Sequence, residues 1–324
     1  MPRSDLDPAA IDVERAAAGL GDRVHRTPTF SSRTLGRIAG VPVSLKAELF
    51  QRTGSFKPRG AFTRLDALTA AERRQGVVTV SAGNHAAALA FTAAEAEIDC
   101  LVLMTRGASE LKAAAARDYG ATLDREAEDP AALFARLDEL RGDRILVHPF
   151  DDPLVIAGQG TVGVELLEDR PAVDLVVVPV GGGGLVAGIA AAAAATRPST
   201  RIVAVEPEGS TALAAALAAG EPVPVAPHSV ADGLNAPFAG GLPLAVCRAF
   251  GVEHVTVSER EIEAGFRFLY ERAKLAAEPA GAAGVAALLA GKVDVSDVSE
   301  VGVVVSGGNV EPEIASGILR FDEG

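Results

Sequence analysis

Tryptophan is missing from this chain of 324 residues, tyrosine appears only twice, and aromatic residues make up 4% of it. A core must therefore be built from Ala, Val, Leu and Ile, and the 48% of hydrophobic residues is ample for one large or two medium domains. Cysteine is equally scarce. Cys100 and Cys247 stand far apart in apolar patterns, which excludes a disulfide framework and fits a reducing compartment. The opening MPRSDLDPAAIDVERAAAGL has no apolar stretch of the kind a secretory signal carries, and no run approaches the length of a bilayer span. A soluble, cytoplasmic protein is expected. Positive charge is short as well: 30 Lys and Arg against 43 Asp and Glu leave a net charge of −13. Sequence-independent nucleic-acid binding and docking on anionic membranes are disfavoured. A locally positive pocket for a small anion is not.

What is present is an alternation of strand and helix patterns. Strands are predicted at 43–49, 77–80, 99–104, 144–147, 175–180, 201–205, 252–257 and 302–305. Helices are predicted at 59–68, 84–96, 109–119, 130–140, 158–167, 185–195, 211–218, 242–250, 259–273 and 279–289. Asp7 and Pro8 read as an N-cap and first helical residue of a further helix reaching about Gly19. Continuous apolar runs such as LVVVPV are the mark of strands covered on both faces, so the reading is an open α/β architecture with parallel sheets. Residues 70–150 carry their own strand–helix series, and Pro149 to Pro153 offers a hinge. This predicts a small inserted domain at 70–150 facing a larger one made of 1–69 and 151–324. The Pro- and Gly-rich stretch 221–243 reads as a long ordered loop.

Three predicted strands run into small, flexible residues. VVTV leads into Ser81-Ala82-Gly83-Asn84-His85, LVVVPV into Gly181-Gly182-Gly183-Gly184, and GVVV into Ser306-Gly307-Gly308-Asn309. Ligands in open parallel sheets bind beyond the carboxyl ends of strands, so these ends mark one crevice. Four consecutive glycines let backbone N–H groups converge on a phosphate at a helix N-terminus, whereas an ordinary strand-to-helix turn needs only one or two. The tetrad is neither a Walker loop nor a GxGxxG dinucleotide turn. For the other two ends the bland readings stand beside the functional ones: Ser81 or Asn84 as a helix cap, His85 as a structural histidine, Ser306 as a turn serine. Lys57, in Gly54-Ser55-Phe56-Lys57-Pro58-Arg59-Gly60, sits just before a helical pattern. Its amine is a nucleophile only when deprotonated, which burial promotes. A snorkelling helix-start lysine is the alternative.

Together with Ala157-Gly158-Gln159-Gly160-Thr161, these motifs resemble, in order and over nearly the whole chain, the threonine/serine dehydratases and serine racemases. That family comprises pyridoxal-phosphate enzymes of fold type II, whose architecture is two open parallel-sheet α/β domains (tryptophan synthase β-like). The resemblance implies pyridoxal 5'-phosphate as cofactor, Lys57 as its Schiff-base lysine and Phe56 against its ring. It further implies Asn84 at the ring hydroxyl, Gly181, Gly182, Gly183 and Gly184 at the phosphate, and Ser306 at the ring nitrogen. Ser81, Asn84 and His85 would receive the substrate carboxylate. The implied reaction is β-elimination from a β-hydroxy amino acid, L-threonine or L-serine, giving a 2-oxo acid and ammonia. A neutral serine at the ring nitrogen suits elimination better than a long-lived carbanion. A homodimer acting on a small amino acid is implied too.

Departures from the family pattern narrow the reading. Ala82 stands where racemases carry the serine that serves the opposite face of Cα, and alanine cannot transfer a proton. Phe150 is aromatic, as in dehydratases. The family's divalent-cation site would use Glu206 and an acid where Ala212 stands, so no metal is expected and Glu206 reads as structural. Ala231-Asp232-Gly233 and Glu278-Pro279-Ala280-Gly281 match segments near the cofactor. Racemisation and 3-hydroxyaspartate dehydration remain alternatives. Cysteine synthases share the fold, but their lysine segment and phosphate loop differ from this one. A non-catalytic binding module is the alternative of a different class, and it would have no use for Lys57.

Overall fold

The computed structural model describes residues 7–128 and 130–320. The first part of the chain forms α1 (Val13–Leu20), β1 (Thr29–Ser31), α2 (Arg33–Ala39), β2 (Val43–Ala47), α3 (Lys57–Asp66) and α4 (Ala70–Gln75). Then come β3 (Val77–Val80), α5 (Asn84–Glu95), β4 (Cys100–Thr105), α6 (Glu110–Asp118), β5 (Thr122–Ala127), α7 (Pro130–Leu140) and β6 (Ile145–Leu146). The remainder holds α8 (Pro153–Asp169), β7 (Leu175–Pro179), α9 (Gly184–Thr196), β8 (Arg201–Pro207), α10 (Ala212–Ala219) and α11 (Gly241–Ala249). It ends with β9 (Glu253–Val257), α12 (Glu259–Phe268), α13 (Pro279–Leu289), β10 (Val301–Val305) and α14 (Pro312–Arg320).

The strands make two sheets, one of six strands ordered β1-β2-β10-β7-β8-β9 and one of four ordered β5-β4-β3-β6. Every pairing is parallel except that of the edge strand β1 with β2. Each residue of β2, β7 and β10 is buried, because helices cover both faces. One apolar cluster packs α8 and α9 on one side of the larger sheet, with Ile156, Val162, Leu166 and Ile189. A second packs α12 and α13 on the other, with Ile262, Phe266, Val285 and Leu288. A fully buried aliphatic side chain of this kind contributes about 1.5–3 kcal/mol. Two smaller clusters sandwich the four-stranded sheet.

Several boundaries differ from those predicted. Asp12, rather than Asp7, caps the first α-helix, its Oδ1 accepting from the N–H of Arg15 at 2.9 Å, and Pro8–Ala10 is a single 3-10 turn. The helix predicted from Gly158 begins at Pro153 behind an Asp152 cap. The α-helix predicted to reach Ala273 ends at Phe268, continues as a π-turn, and stops at Lys274 in the left-handed region. Strand β5 was not anticipated. Its sequence TLDREA carries three charges, which an edge strand tolerates and a central one would not. Edge strand β1 and helices α2, α4 and α14 were also not anticipated; α2 and α4 are short, held by caps at Ser32 and Thr69. Among the described residues no helix is long and apolar enough to cross a membrane.

Candidate active site

Lys57 is the first residue of α3, where Pro58 can follow because the amides of a first helical turn need no partner. The approach to it is held by the end of β10. The N–H of Phe56 donates to the carbonyl of Ser306 at 3.2 Å, and that of Gly308 donates to the carbonyl of Gly54 at 2.9 Å. Ser55 and Gly307 form an isolated antiparallel bridge. The lysine is half-buried, and its Nζ donates to the carbonyl of Pro149 at 3.0 Å and lies 5.1 Å from the centre of the Phe56 ring. Burial pushes its pKa down from 10.5 to about 8, against an opposing pull from Glu278.

Behind Lys57, helix α3 is clamped to α8. A Cβ on Gly158 would meet the carbonyl oxygen of Arg59 at 2.4 Å, so only glycine allows this approach. The guanidinium of fully buried Arg59 bonds Glu48 through Nε and Nη2, both at 2.9 Å. It also bonds Glu165 at 2.7 and 2.9 Å. Burial alone would lower its pKa, but the two carboxylates raise it overall. Lys46, also fully buried, holds Glu165 at 2.6 Å. The predicted Gly158-Gln159-Gly160 motif thus lies within a helix, as notches for α3 and α9, rather than at a helix start.

The glycine tetrad joins β7 to α9, with Gly183 at φ +93°. Its carbonyls are used inside the protein: that of Gly182 accepts from the N–H of Gly240 and that of Gly183 from the N–H of Ala187, both at 3.0 Å. No protein acceptor meets the N–H groups of Gly181, Gly182 or Gly183 among the described residues. Phe150 explains why Gly182 has no side chain, since a Cβ there would fall 2.3 Å from its ring. Pro149 and Phe150 therefore connect the lysine to the glycine loop.

The turn after β3 adds Ser81, whose Oγ accepts from the N–H of Gly83 at 3.2 Å. Asn84 is buried; its Nδ2 donates to Glu278 at 2.7 Å and its Oδ1 accepts from Asn309 at 2.9 Å. His85 is buried and its Nε2 faces the carbonyl of Val147 at 3.3 Å. Burial, then the Lys57 charge, push its pKa down to about 3, so the ring is neutral. Ser306 is buried at the end of β10. Glu278 just precedes α13, and burial pushes its carboxyl up to about 7 despite Lys112, 4.0 Å away. Lys112 itself pairs with Asp232 at 2.5 Å, and Ser109 donates to Glu311 at 2.5 Å. A cavity of about 380 Å³ opens beside these residues, lined by Ser109, Lys112, Asp232 and Asn309 among others.

The sequence reading left Arg59, Lys112, Asn309 and the Pro149 carbonyl without individual roles. Arg59 and Asn309 stood inside motifs that were singled out, but only folding reveals their partners. Glu206 is buried and accepts from the N–H groups of Leu213 (2.7 Å) and Ala214 (3.0 Å), capping α10, and meets His254 at 2.8 Å. No cluster of three or more metal-ligating side chains occurs among the described residues.

A half-buried amine of lowered pKa, linked through Pro149 and Phe150 to a loop whose N–H groups meet no acceptor among the described residues, suits an anionic aldehyde. The chain belongs to the family described as pyridoxal-phosphate dependent enzymes, which matches residues 20–307. It is 40% identical to the catabolic L-threonine dehydratase of Escherichia coli (strain K12), with 98% of each chain covered. It is 39% identical to a serine racemase of Oryza sativa subsp. japonica, over 92% of this chain and 90% of the relative. The solved structure of maize serine racemase superposes with a TM-score of 0.90 at 35% identity, covering 97% of both chains. The architecture is that of the fold type II enzymes, and the cofactor is pyridoxal 5'-phosphate. The residues present fit that group, since the tetrad's free N–H groups and the nearby amine match its phosphate and its aldehyde.

Proposed function

We propose that the chain is an ammonia-lyase that dehydrates a β-hydroxy amino acid, threonine or serine, to a 2-oxo acid and ammonia. The observation that carries this reading is the half-buried Lys57 amine, joined through Pro149 and Phe150 to a glycine loop with free N–H groups. When bound, pyridoxal phosphate supplies an aldehyde for an amino group and a ring that takes up the electrons of a broken Cα–H bond.

Gly181 to Gly184 would hold the phosphate, Phe56 would lie against the ring, and the Asn84 amide and the Ser306 hydroxyl would meet the ring's hydroxyl and nitrogen. Ser81, Asn84 and His85 would hold the substrate carboxylate, chiefly through the amides of their turn, because the His85 ring is buried and neutral. Lys57 would bind the aldehyde and then, released as a neutral amine, take the Cα proton on Nζ. The β-hydroxyl would leave as water, taking up the proton held on Nζ, and addition of a water molecule to the remainder would give ammonia and the 2-oxo acid. The methyl of Ala82 has no proton to exchange, which favours elimination over racemisation.

We assign residues 1–69 and 151–324 to a large cofactor-binding unit and 70–150 to a smaller inserted one; the two separate sheets support this division. A cytoplasmic homodimer is the accompanying proposal, supported by the family resemblance and by two buried, unpaired thiols. The test is visible absorbance of the purified protein, borohydride reduction, and peptide mapping, with 2-oxo acid release measured from an amino-acid panel. A yellow protein labelled at Lys57 that releases 2-oxobutanoate or pyruvate is expected. A colourless protein, or a label elsewhere, overturns the reading.

A further inference from the structure

Glu278 is almost wholly buried, yet among the described residues its carboxyl takes part in a single hydrogen bond. Its Oε1 accepts from the Nδ2 of Asn84 at 2.7 Å, whereas Oε2 is buried without a hydrogen-bond partner, 4.0 Å from the Nζ of Lys112. Lys112 is itself committed to Asp232. One hydrogen bond does not offset taking a carboxyl out of water, so this placement costs the fold stability and points to a role in the site. The backbone is shaped to hold the carboxyl there. The N–H of Glu278 donates to the carbonyl of Gly307 at 3.0 Å, and a Cβ on Gly307 would fall 2.4 Å from Oε1.

The Asn84 amide is also held from its other end. Its Oδ1 accepts from the Nδ2 of Asn309 at 2.9 Å, and that same nitrogen donates to the carbonyl of Thr53 at 2.8 Å. Both hydrogens of the Asn309 amide are thus used, and turning it round would set its oxygen against two others. The direction of donation is therefore fixed: Asn309 gives to Asn84, and Asn84 gives to Glu278. A reversed Asn84 would set nitrogen against nitrogen at Asn309 and lose that bond. In the orientation observed, one hydrogen of the Asn84 nitrogen goes to Glu278, and the second meets no acceptor among the described residues.

We propose that Glu278 and Asn309 are positioning residues that lock the Asn84 amide, so that its free hydrogen, and not its oxygen, is what the cofactor's ring hydroxyl meets. A donor there stabilises the ionised form of that hydroxyl, whereas an acceptor would oppose it. The side chain is held ready before the cofactor arrives. This inference rests on the reading that places the ring hydroxyl at Asn84, and adds what orients that amide.

The test follows the bound cofactor of the holoenzyme. Ionised and neutral ring hydroxyls absorb in the visible and the near ultraviolet respectively, so the ratio of the two bands reports the contact. Affinity is measured by titrating cofactor-free protein with pyridoxal phosphate. Asn84→Ala is expected to move intensity from the visible band to the near-ultraviolet one. Glu278→Ala should do the same and weaken affinity about tenfold, the effect of losing one hydrogen bond. Glu278→Gln, whose side-chain oxygen can still accept, should restore most of both. In the Asn84→Ala background, Glu278→Ala should add nothing to the shift. Asn309→Ala should mimic Glu278→Ala, and it keeps the test decisive if that variant fails to fold. A merely structural Glu278 would change the melting temperature and leave the band ratio alone. An unchanged spectrum in a folded Glu278→Ala variant overturns the proposal, as does an equal shift with and without Asn84, or a glutamine variant no better than the alanine one. If Asn84→Ala itself leaves the ratio unchanged, the placement of the ring hydroxyl fails and takes the proposal with it. A yellow enzyme that releases no 2-oxo acid defeats the dehydratase reading alone.

Discussion

The Nζ of Lys57 donates to the backbone carbonyl of Pro149 at 3.0 Å, so the reactive amine is aimed by a group that no side-chain substitution can remove. The bond reaches the segment that follows β6 of the smaller sheet. A carbonyl accepts from the amine whether it is charged or neutral. Deprotonation is therefore governed by burial, which brings the pKa to about 8.

The first prediction concerns that amine. With a pKa of about 8, roughly one molecule in ten carries a neutral Lys57 at pH 7, several hundred times more than for an ordinary lysine. The rate at which cofactor-free protein takes up pyridoxal phosphate should rise with pH and level off just above pH 8. Absorbance-detected uptake across pH 6–10 measures this, and a rise continuing to pH 10 would show an unperturbed amine.

Gly182 and Phe150 should behave as one unit. Gly182→Ala forces a methyl to within 2.3 Å of the Phe150 ring, an overpacking that costs about 1–3 kcal/mol and displaces the loop. In a Phe150→Ala background the same substitution should cost much less. Urea unfolding of both single variants and the double variant gives the coupling; additive losses would mean that the ring does not rest on the glycine.

Arg59→Ala should destabilise the protein by about 3–5 kcal/mol, because among the described residues Glu48 is left buried with Thr27 as its one side-chain hydrogen-bond partner. Glu165 loses less, since Lys46 still holds it. Lysine at position 59 should recover part of the loss and cofactor absorbance with it. Denaturation midpoints and the visible spectrum check this, and a loss under 1 kcal/mol would remove Arg59 as the clamp of α3.

Glu278 makes the stability of the cofactor-free protein pH-dependent. Its carboxyl titrates near 7 in the folded state against 4.5 when free, because burial opposes ionisation. Between those values the folded state binds more protons than the unfolded one, so this contribution is fully present below pH 4.5 and is lost as pH rises through 7. Thermal melts should show a fall in Tm from pH 5 to pH 7.5 that Glu278→Gln flattens. An identical slope in the variant would assign the effect to other groups.

Much of the larger sheet was legible from the sequence because its strands are buried on both faces and read as unbroken apolar runs, as in Leu175–Pro179 and Val301–Val305. What escaped was marginal in the literal sense. Strands β1 and β5 lie at sheet edges, where polar residues are tolerated, and α2 and α4 are too short for a periodic signal. At the site, the lysine turn and the glycine tetrad stood out by composition. Glu278 stood in a segment matched to the neighbourhood of the cofactor, but its grip on Asn84 joins residues almost two hundred positions apart, which no local pattern encodes.

Sequence alone determined the alternating α/β order, because local periodicity is written directly in the chain, and it carried the motifs by which the chain resembles its family. Only the folded structure decided that Arg59 lies in a buried carboxylate clamp, that Glu206 caps a helix, and that the Phe150 ring lies against Gly182. Those outcomes depend on which distant groups are brought together out of water, where an unpaired charge is costly and an apolar ring is favoured, and burial exists only once the chain has closed.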